Sequence, residues 1–318
     1  MKNAGVESAS LAEGVRQGDP RAIARAISAI ENRQSGADAL LRELFPHTGR
    51  ALLIGVTGAP GTGKSSLVNR LAGHYRSAGK SVGILAVDPT SPFTGGALLG
   101  DRIRMQQHAT DDGIYIRSMA TRGYLGGLAR ATADAALVLD AAGKDIILIE
   151  TVGVGQDEVD IVRLADATLL LLVAGLGDDV QNFKAGVMEI ADVFAINKAD
   201  RGDTDRLEAE LKAMLSLSAR NDGWKPPVVK TVATEGTGVP ELAVALESFL
   251  AQLDRDAKRV ERWQQRLLDL IRQQALERVL DAGVGREQLA DYARQIVKRR
   301  RDPYSVVSEL LRDAGMTK

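Results

Sequence analysis

Apolar residues in the middle of the chain occur in short, unbroken runs that do not alternate with polar residues. Residues 146–149 and 169–173 are two such runs. A strand that is apolar at every position is expected to be covered on both faces, as in a parallel sheet. On this basis seven strands are predicted, at residues 51–57, 82–87, 114–118, 145–150, 168–174, 192–197 and 228–232.

Segments with the three-to-four-residue apolar spacing of helices alternate with these strands. They predict helices at residues 64–78, 100–109, 127–142, 156–164, 185–190, 203–218 and 239–253. The alternation of strand and helix indicates an α/β fold with a mainly parallel, doubly wound sheet.

Helical patterns flank the predicted sheet at both ends of the chain. Residues 8–45 predict short helices, with Asp19 as an N-cap and Pro20 in the first turn of the second helix. After residue 253 the charged sequence predicts three more helices, the last two near residues 286–301 and 303–314. The chain is therefore predicted to have three parts, an N-terminal helical extension at 1–50, an α/β domain at 51–252 and a C-terminal helical arm at 253–318.

The first helix of the arm carries a narrow apolar stripe on an otherwise charged surface. Its members are Val260, Trp263, Leu267, Leu270 and Ile271. Such a stripe predicts a seam with a partner helix. We favour a second copy of the chain as the partner, because two-fold dimers are the commonest assemblies. The alternative is packing against the chain's own main domain.

Composition limits the kinds of partner and compartment. The 318 residues include 41 Lys and Arg against 42 Asp and Glu, so no overall basic field favours nucleic acid. Cysteine is absent, which excludes disulfides, thiolate metal sites and cysteine nucleophiles. The first residues lack the apolar core of a signal peptide, and no apolar run approaches the ~20 residues that span a bilayer. We expect a cytoplasmic protein with neither a membrane nor a nucleic-acid partner.

A glycine-rich loop separates the first predicted strand from the helix that follows it. Its residues are Gly58, Ala59, Pro60, Gly61, Thr62, Gly63, Lys64 and Ser65, with Ser66 next. The G-x-x-x-x-G-K-S spacing between a strand and a helix is typical of a phosphate cradle, because glycine lets successive main-chain N–H groups point inward. We expect Lys64 to reach the β- and γ-phosphates and the Ser65 hydroxyl to ligate Mg²⁺. The predicted fold is therefore that of a P-loop NTPase.

A guanine-reading motif follows the sixth predicted strand, where Asn197, Lys198 and Asp200 form N-K-x-D. The Asp200 carboxylate would accept hydrogen bonds from guanine N1–H and the exocyclic amine, whereas adenine would leave it unpaired. The Lys198 stem would pack over the base, and Asn197 would brace the surrounding loops. A main-chain N–H for guanine O6 is expected from the loop after the last strand, at Val232, Ala233 and Thr234.

Three acidic residues are candidates for the magnesium side of the site. Asp88 follows the second strand and Asp101 lies beyond it, with a turn former and a helix cap as their alternative roles. Glu150 closes the strongest strand, where its carboxylate would hold an Mg²⁺-bound water, and the Gly153 N–H would contact the γ-phosphate. Val154 comes next, where small signalling GTPases place a water-orienting Gln, so we predict slow intrinsic hydrolysis.

The long polar stretch at residues 175–189 follows the fifth predicted strand at the same edge of the sheet. Its simplest interpretation is a strand–helix connection capped by Asp178 or Asp179. The functional hypothesis is an extra switch that reorganises when a partner docks, with Lys184 reaching the phosphates as an external cation.

Five segments in this order resemble the MeaB/ArgK/MMAA family of methylmalonyl-CoA-mutase-associated GTPases. They are GAPGTGKSS, AVDPTSPFTGGALLGDRIRM, ETVGVGQDEVD, GDDVQNFKAGVMEIAD and NKAD. The resemblance implies a homodimeric GTPase that binds GTP or GDP with Mg²⁺ and chaperones an adenosylcobalamin-dependent methylmalonyl-CoA mutase or a related acyl-CoA mutase. The GTPase would gate cofactor loading and protect or reactivate the mutase. By motif, Asp88, Asp101 and Glu150 would form the metal-side group, and residues 177–188 would form the family's third switch.

Other functions stay open at this point. A metallochaperone GTPase for nickel or zinc would normally show cysteine or histidine clusters, whereas this chain has no cysteine and three scattered histidines. A kinase or transport-associated ATPase is disfavoured by the guanine motif. A non-catalytic, nucleotide-gated dimer module would differ from the GTPase by its lack of turnover with and without a mutase.

Overall fold

The computed structural model describes residues 2–88, 111–120, 127–151, 164–175, 191–217, 220, 222–281 and 286–316. These residues belong to two compact units, Met1–Leu253 and Asp254–Lys318. Apart from Leu164, the helices predicted at 100–109, 156–164 and 185–190 lie outside the described residues.

A parallel sheet of seven strands forms the centre of the first unit. The strands are β1 (Leu52–Gly58), β2 (Val82–Asp88), β3 (Ile114–Ala120), β4 (Ile146–Glu150), β5 (Ala167–Leu172), β6 (Val193–Asn197) and β7 (Val228–Thr231). Their order is β3-β2-β4-β1-β5-β6-β7, and every neighbouring pair is parallel. All seven predicted strands and the predicted fold class are confirmed. β1 lies where the strand order reverses, the position at which doubly wound sheets bind ligands.

Helices cover both faces of this sheet. They are α1 (Lys2–Arg16), α2 (Pro20–Glu31), α3 (Ala37–Leu44), α4 (Lys64–Ser77), α5 (Gly127–Ala141), α6 (Thr204–Leu217) and α7 (Val239–Gln252), with a 3₁₀ turn at Phe45–His47. In β5, Leu169 and Leu171 pack on the side of α4 and α7, whereas Leu170 and Leu172 pack on the side of α6. Burial on both faces explains the unbroken apolar run of this strand.

The N-terminal helices pack on α5 and belong to the same unit as the sheet. Asp19 caps α2 as predicted, because its carboxylate accepts hydrogen bonds from the N–H groups of Arg21 and Ala22, each at 3.1 Å. Pro20 occupies the first turn, where its missing N–H costs nothing.

Two buried aspartates fix the main chain around the start of β1. The Asp140 carboxylate on α5 accepts the Ala51 N–H at 2.9 Å, and the Asp166 carboxylate accepts the Leu53 N–H at 2.9 Å. Both carboxylates compensate for their burial with charge-assisted hydrogen bonds. The two carboxylates thereby position the start of β1, the strand that precedes the glycine-rich loop.

The described residues of the second unit form three helices, α8 (Arg255–Asp281), α9 (Arg286–Val297) and α10 (Pro303–Asp313). Its core is small, with Val306 and Leu310 buried and partly buried apolar neighbours around them. Of the predicted stripe on α8, Val260, Leu267 and Ile271 are exposed, whereas Trp263 and Leu270 are partly buried. Among the described residues of both units, no helix is long and apolar enough to cross a bilayer.

Candidate nucleotide-binding site

The glycine-rich loop joins β1 to α4 at the carboxyl edge of the sheet. Gly58 and Gly63 have positive φ angles, 151° and 91°. A Cβ atom on Gly58 would lie 2.5 Å from the Leu171 carbonyl oxygen, and one on Gly63 would lie 2.5 Å from Nδ2 of Asn197. Only glycine fits at these two positions without a shift of the neighbouring groups.

Helix α4 begins directly after this loop. Its first main-chain hydrogen bond runs from the Leu67 N–H to the Gly63 carbonyl, at 3.0 Å. The N–H groups of a first helical turn have no intrahelical acceptor, and with the helix dipole they form an anion site. Lys64 is buried inside the loop, where its Nζ donates to the carbonyls of Gly58 at 2.6 Å and Ala59 at 3.0 Å. The loop therefore holds a cation and a helix start, both of which suit a phosphate group.

Ser65 and Glu150 meet beside the loop. The Ser65 hydroxyl contacts a carboxylate oxygen of Glu150 at the end of β4. Hydroxyl and carboxylate oxygens are ligands that Mg²⁺ accepts, so this pair fits the predicted ion. Asp88 ends β2, which pairs with β4 so that Ala86 lies opposite Glu150. The pairing of these strands therefore places the main chain of Asp88 at the same edge of the sheet as Ser65 and Glu150.

Asn197 connects the glycine-rich loop to two other loops. Its Nδ2 donates to the Thr62 carbonyl at 2.7 Å. Its Oδ1 accepts hydrogen bonds from the Thr231 hydroxyl and from the Ala233 N–H, each at 3.1 Å. The side chain is buried and therefore braces the phosphate loop against the ends of β6 and β7.

Lys198 and Asp200 lie in the turn that follows Asn197. Lys198 has a φ of 56°, which is uncommon for a residue with a side chain. Its Nζ donates to the Gly61 carbonyl at 2.8 Å, so the side chain bridges the turn and the glycine-rich loop. The Asp200 carboxylate stays 40% exposed and pairs with Arg201 at 3.2 Å. A carboxylate at this sheet edge is thus accessible from solvent.

The loop after β7 uses several of its main-chain groups internally. The Val232 N–H donates to the Thr237 carbonyl at 3.0 Å, and the Ala233 N–H donates to Asn197. Among the residues that the structure describes, the Thr234 N–H donates to no other group. A donor for guanine O6 would come from Thr234, or from Ala233 by sharing its hydrogen with Asn197.

Comparison with known proteins identifies the group to which this site belongs. Residues 23–288 match the family described as methylmalonyl Co-A mutase-associated GTPase MeaB. The chain belongs to the MeaB family. A putative GTPase of Pyrococcus abyssi is 48% identical over 95% of each chain. The methylmalonic aciduria type A homolog of mouse mitochondria is 33% identical over 95% of this chain and 78% of that protein.

A solved structure agrees with this MeaB-family assignment. The crystal structure of a LAO/AO transport system kinase superposes with a TM-score of 0.71, at 27% identity and over 96% of each chain. The family match and the P-loop fold together establish the activity class. This MeaB-family protein is a GTPase that binds guanine nucleotides.

The predicted site residues of this MeaB-family chain divide into two sets. The residues that the sheet edge brings together in the described structure are Gly58, Ala59, Pro60, Gly61, Thr62, Gly63, Lys64, Ser65, Ser66, Glu150, Asn197, Lys198, Asp200, Val232, Ala233 and Thr234, with the main chain of Asp88. Asp101, Gly153 and Lys184 lie outside the described residues. The roles assigned to both sets in nucleotide binding remain predictions.

Arg70 lies on α4 and belongs to no motif that predicts a role at the site. Its Nε donates to the Ala233 carbonyl at 3.0 Å, and its Nη2 contacts the Thr234 carbonyl oxygen. An arginine on a partly exposed helix carries no local signal of such a contact, because its acceptors lie in a loop far along the chain. Only the folded sheet brings α4 and the loop after β7 together.

Proposed function

We propose that this GTPase is a chaperone of an adenosylcobalamin-dependent acyl-CoA mutase, with methylmalonyl-CoA mutase as the first candidate. The observation that carries the proposal is the match of residues 23–288 to a family described by its association with that mutase. The 33% identity to the mouse methylmalonic aciduria type A homolog supports it. In this proposal the bound guanine nucleotide gates cofactor loading, and the GTPase protects or reactivates the mutase.

The phosphate side of the site would work through charge. Lys64 donates to neutral carbonyls in the structure, and it would exchange them for the β- and γ-phosphate oxygens, which are stronger acceptors. Ser65, Asp88, Asp101 and Glu150 would hold Mg²⁺, which when bound neutralises charge on the phosphate oxygens. The Gly153 N–H and Lys184 would approach the γ-phosphate from the switch segments.

The base side would work through polar complementarity. Asp200 would read the N1–H and the exocyclic amine of guanine, while the Lys198 stem covers the base. Asn197 would keep the two loops at a fixed separation, since it already binds Thr62 and Ala233. A main-chain N–H of the loop at 232–234 would donate to O6.

The test is a GTPase assay on the full chain, alone and with purified methylmalonyl-CoA mutase or isobutyryl-CoA mutase. We expect slow turnover alone, because Val154 cannot orient the attacking water, and faster turnover with the mutase that is served. Co-purification should identify the same mutase. An acyl-CoA enzyme that does not use cobalamin serves as the control partner. Fast hydrolysis by the isolated chain, or no binding and no stimulation with either mutase, contradicts the proposal.

We propose further that the chain forms a homodimer through the exposed stripe on α8. Val260, Leu267 and Ile271 are each more than half exposed, and exposed apolar patches mark sites of protein interaction. A second copy of the same helix would cover them.

A further inference from the structure

Arg70 binds two successive main-chain carbonyl groups of the loop after β7. Its Nε donates to the Ala233 carbonyl at 3.0 Å, and its Nη2 contacts the carbonyl oxygen of Thr234. The guanidinium is a planar fork with fixed donor directions, so bonds to two successive carbonyls define the orientation of both peptide units. A single point charge such as lysine could not impose this geometry.

Asn197 binds the same loop through a main-chain N–H. Its Oδ1 accepts the Ala233 N–H at 3.1 Å, while Arg70 binds the Ala233 carbonyl. Further along, the Val232 carbonyl accepts the N–H groups of Glu235 at 3.0 Å and Gly236 at 2.9 Å, which closes a tight turn. The main chain at Ala233 is thus clamped between a side chain from β6 and a side chain from α4.

The hydrogen bonds with Asn197 and Arg70 fix the directions in which the main-chain N–H groups of this loop point. Hydrogen bonds weaken steeply once the donor angle falls below ~120°, so a peptide unit that rotates loses its acceptor. Arg70 lies on the helix that begins with Lys64 and Ser65. The clamp therefore ties the loop assigned to guanine O6 to the element assigned to the phosphates.

We infer that Arg70 is a positioning residue for guanine recognition: it orients the 232–234 loop so that a main-chain N–H meets O6 of the base. Its side chain acts on the loop and does not itself contact the nucleotide. The inference rests on the proposed assignment of this loop to O6.

The test compares GDP with two analogues that each alter one edge of the base. 6-Thio-GDP replaces O6 with sulfur, a weaker acceptor, and keeps the N1–H and the exocyclic amine. IDP keeps O6 and lacks the exocyclic amine, which is the partner assigned to Asp200. Dissociation constants are measured for the wild-type chain and for Arg70→Met, Arg70→Lys and Arg206→Met. Arg206 is the control, since it is an exposed arginine on α6 that pairs with Glu210 on the same helix.

We expect the wild-type chain to bind GDP roughly 3- to 10-fold more tightly than 6-thio-GDP, the range for one net hydrogen bond. Arg70→Met should weaken GDP binding by a similar factor and bring the ratio of GDP to 6-thio-GDP affinity close to one. The ratio of GDP to IDP affinity should stay as in the wild type. Arg70→Lys should lie between the two, and Arg206→Met should match the wild type.

The other outcomes are distinguishable. If the wild-type chain binds GDP and 6-thio-GDP equally, the assignment of the loop to O6 fails, and the inference fails with it. If the wild type discriminates and Arg70→Met discriminates equally well, the loop assignment stands and the role of Arg70 is wrong. If Arg70→Met lowers both affinity ratios together with the thermal midpoint, Arg70 is only structural, which also overturns the inference. Should Arg70→Met fail to fold, the Arg70→Lys ratios decide alone.

Discussion

Gly63 lies in the glycine-rich loop directly beside the side chain of Asn197. Its φ is 91°, and a Cβ atom at this position would lie 2.5 Å from Nδ2 of Asn197, so two separate demands favour glycine here. Gly79, after the end of α4, has a φ of 78° and open space where its Cβ atom would lie. Substitutions at these two glycines therefore distinguish the effect of backbone strain alone from that of strain combined with a side-chain collision.

Gly63→Ala is expected to lower both stability and nucleotide affinity. Both Gly63→Ala and Gly79→Ala place a side chain in the left-handed region, which costs about 1–2 kcal/mol. Gly63→Ala also displaces the Asn197 amide from the Thr62 carbonyl, so it should cost more in urea unfolding. Only this variant should lose affinity for GDP in a binding titration. Equal losses in the two variants would mean that Asn197 moves aside without cost.

Asp200→Asn should change the preferred base. An amide in place of the carboxylate no longer accepts both hydrogens from guanine N1–H and the exocyclic amine, and it can donate to the carbonyl of xanthine. We expect weaker binding of GDP, tighter binding of XDP and a preference that moves from GTP toward XTP.

A matched variant separates the loss of the carboxylate from the loss of its ion pair. Arg201→Met removes the 3.2 Å partner of Asp200 and leaves the carboxylate in place. This variant should keep the preference for guanine, because an ion pair on the surface contributes little free energy. Unchanged base selectivity in Asp200→Asn would count against the guanine assignment.

At the scale of elements, the strands were predictable and their order was not. The run 169–173 is apolar because both faces of β5 are buried. A strand buried on both faces can be recognised from its sequence, since its apolar residues do not alternate with polar ones. The order that places β4 between β1 and β2 depends on crossover connections between distant segments, which leave no local pattern. The glycine-rich loop and N-K-x-D were found because their spacing is local, whereas the contact from Arg70 to Ala233 is not.

The carboxylate between α5 and β4 is expected to make the stability of the sheet depend on pH. Asp145 accepts the Ser81 N–H at 2.7 Å and the Ser81 hydroxyl at 2.8 Å, just before β2 begins. The main-chain hydrogen bond from Ser81 is the largest cause that lowers the pKa of Asp145 below its usual range. A carboxyl whose pKa is lowered by folding stabilises the fold above its unfolded pKa of ~3.9 and loses that contribution as pH falls through the folded value.

Asp145→Asn should therefore flatten the acid side of the stability profile. The variant should be less stable than the wild type at pH 7 and should lose less stability between pH 5 and pH 3, as urea midpoints at several pH values would report. Asp313→Asn, at an exposed position at the end of α10, is the control and should keep the wild-type slope. If Asp145→Asn keeps the full wild-type slope, other carboxyl groups carry the acid sensitivity.

At the scale of the whole molecule, the two units differ in how they bury apolar surface. The first unit has large apolar clusters on both faces of its sheet. In the described part of the second unit, which has three helices, only Val306 and Leu310 are buried in the cluster. Small cores of this size rarely stabilise a domain alone, and association is one way to supply the missing burial.

Ile271→Glu is expected to shift the chain from dimer to monomer. Ile271 is 62% exposed at the end of the stripe that includes Leu267, and a two-fold seam would place each copy's charge in an apolar contact. Light scattering after size exclusion should report about twice the chain mass for the wild type and the chain mass for the variant. Leu217→Glu is the matched control, because Leu217 is 87% exposed but lies on α6 of the first unit. A monomeric wild type would overturn the homodimer, and a dimer that survives Ile271→Glu would place the association surface elsewhere than on α8.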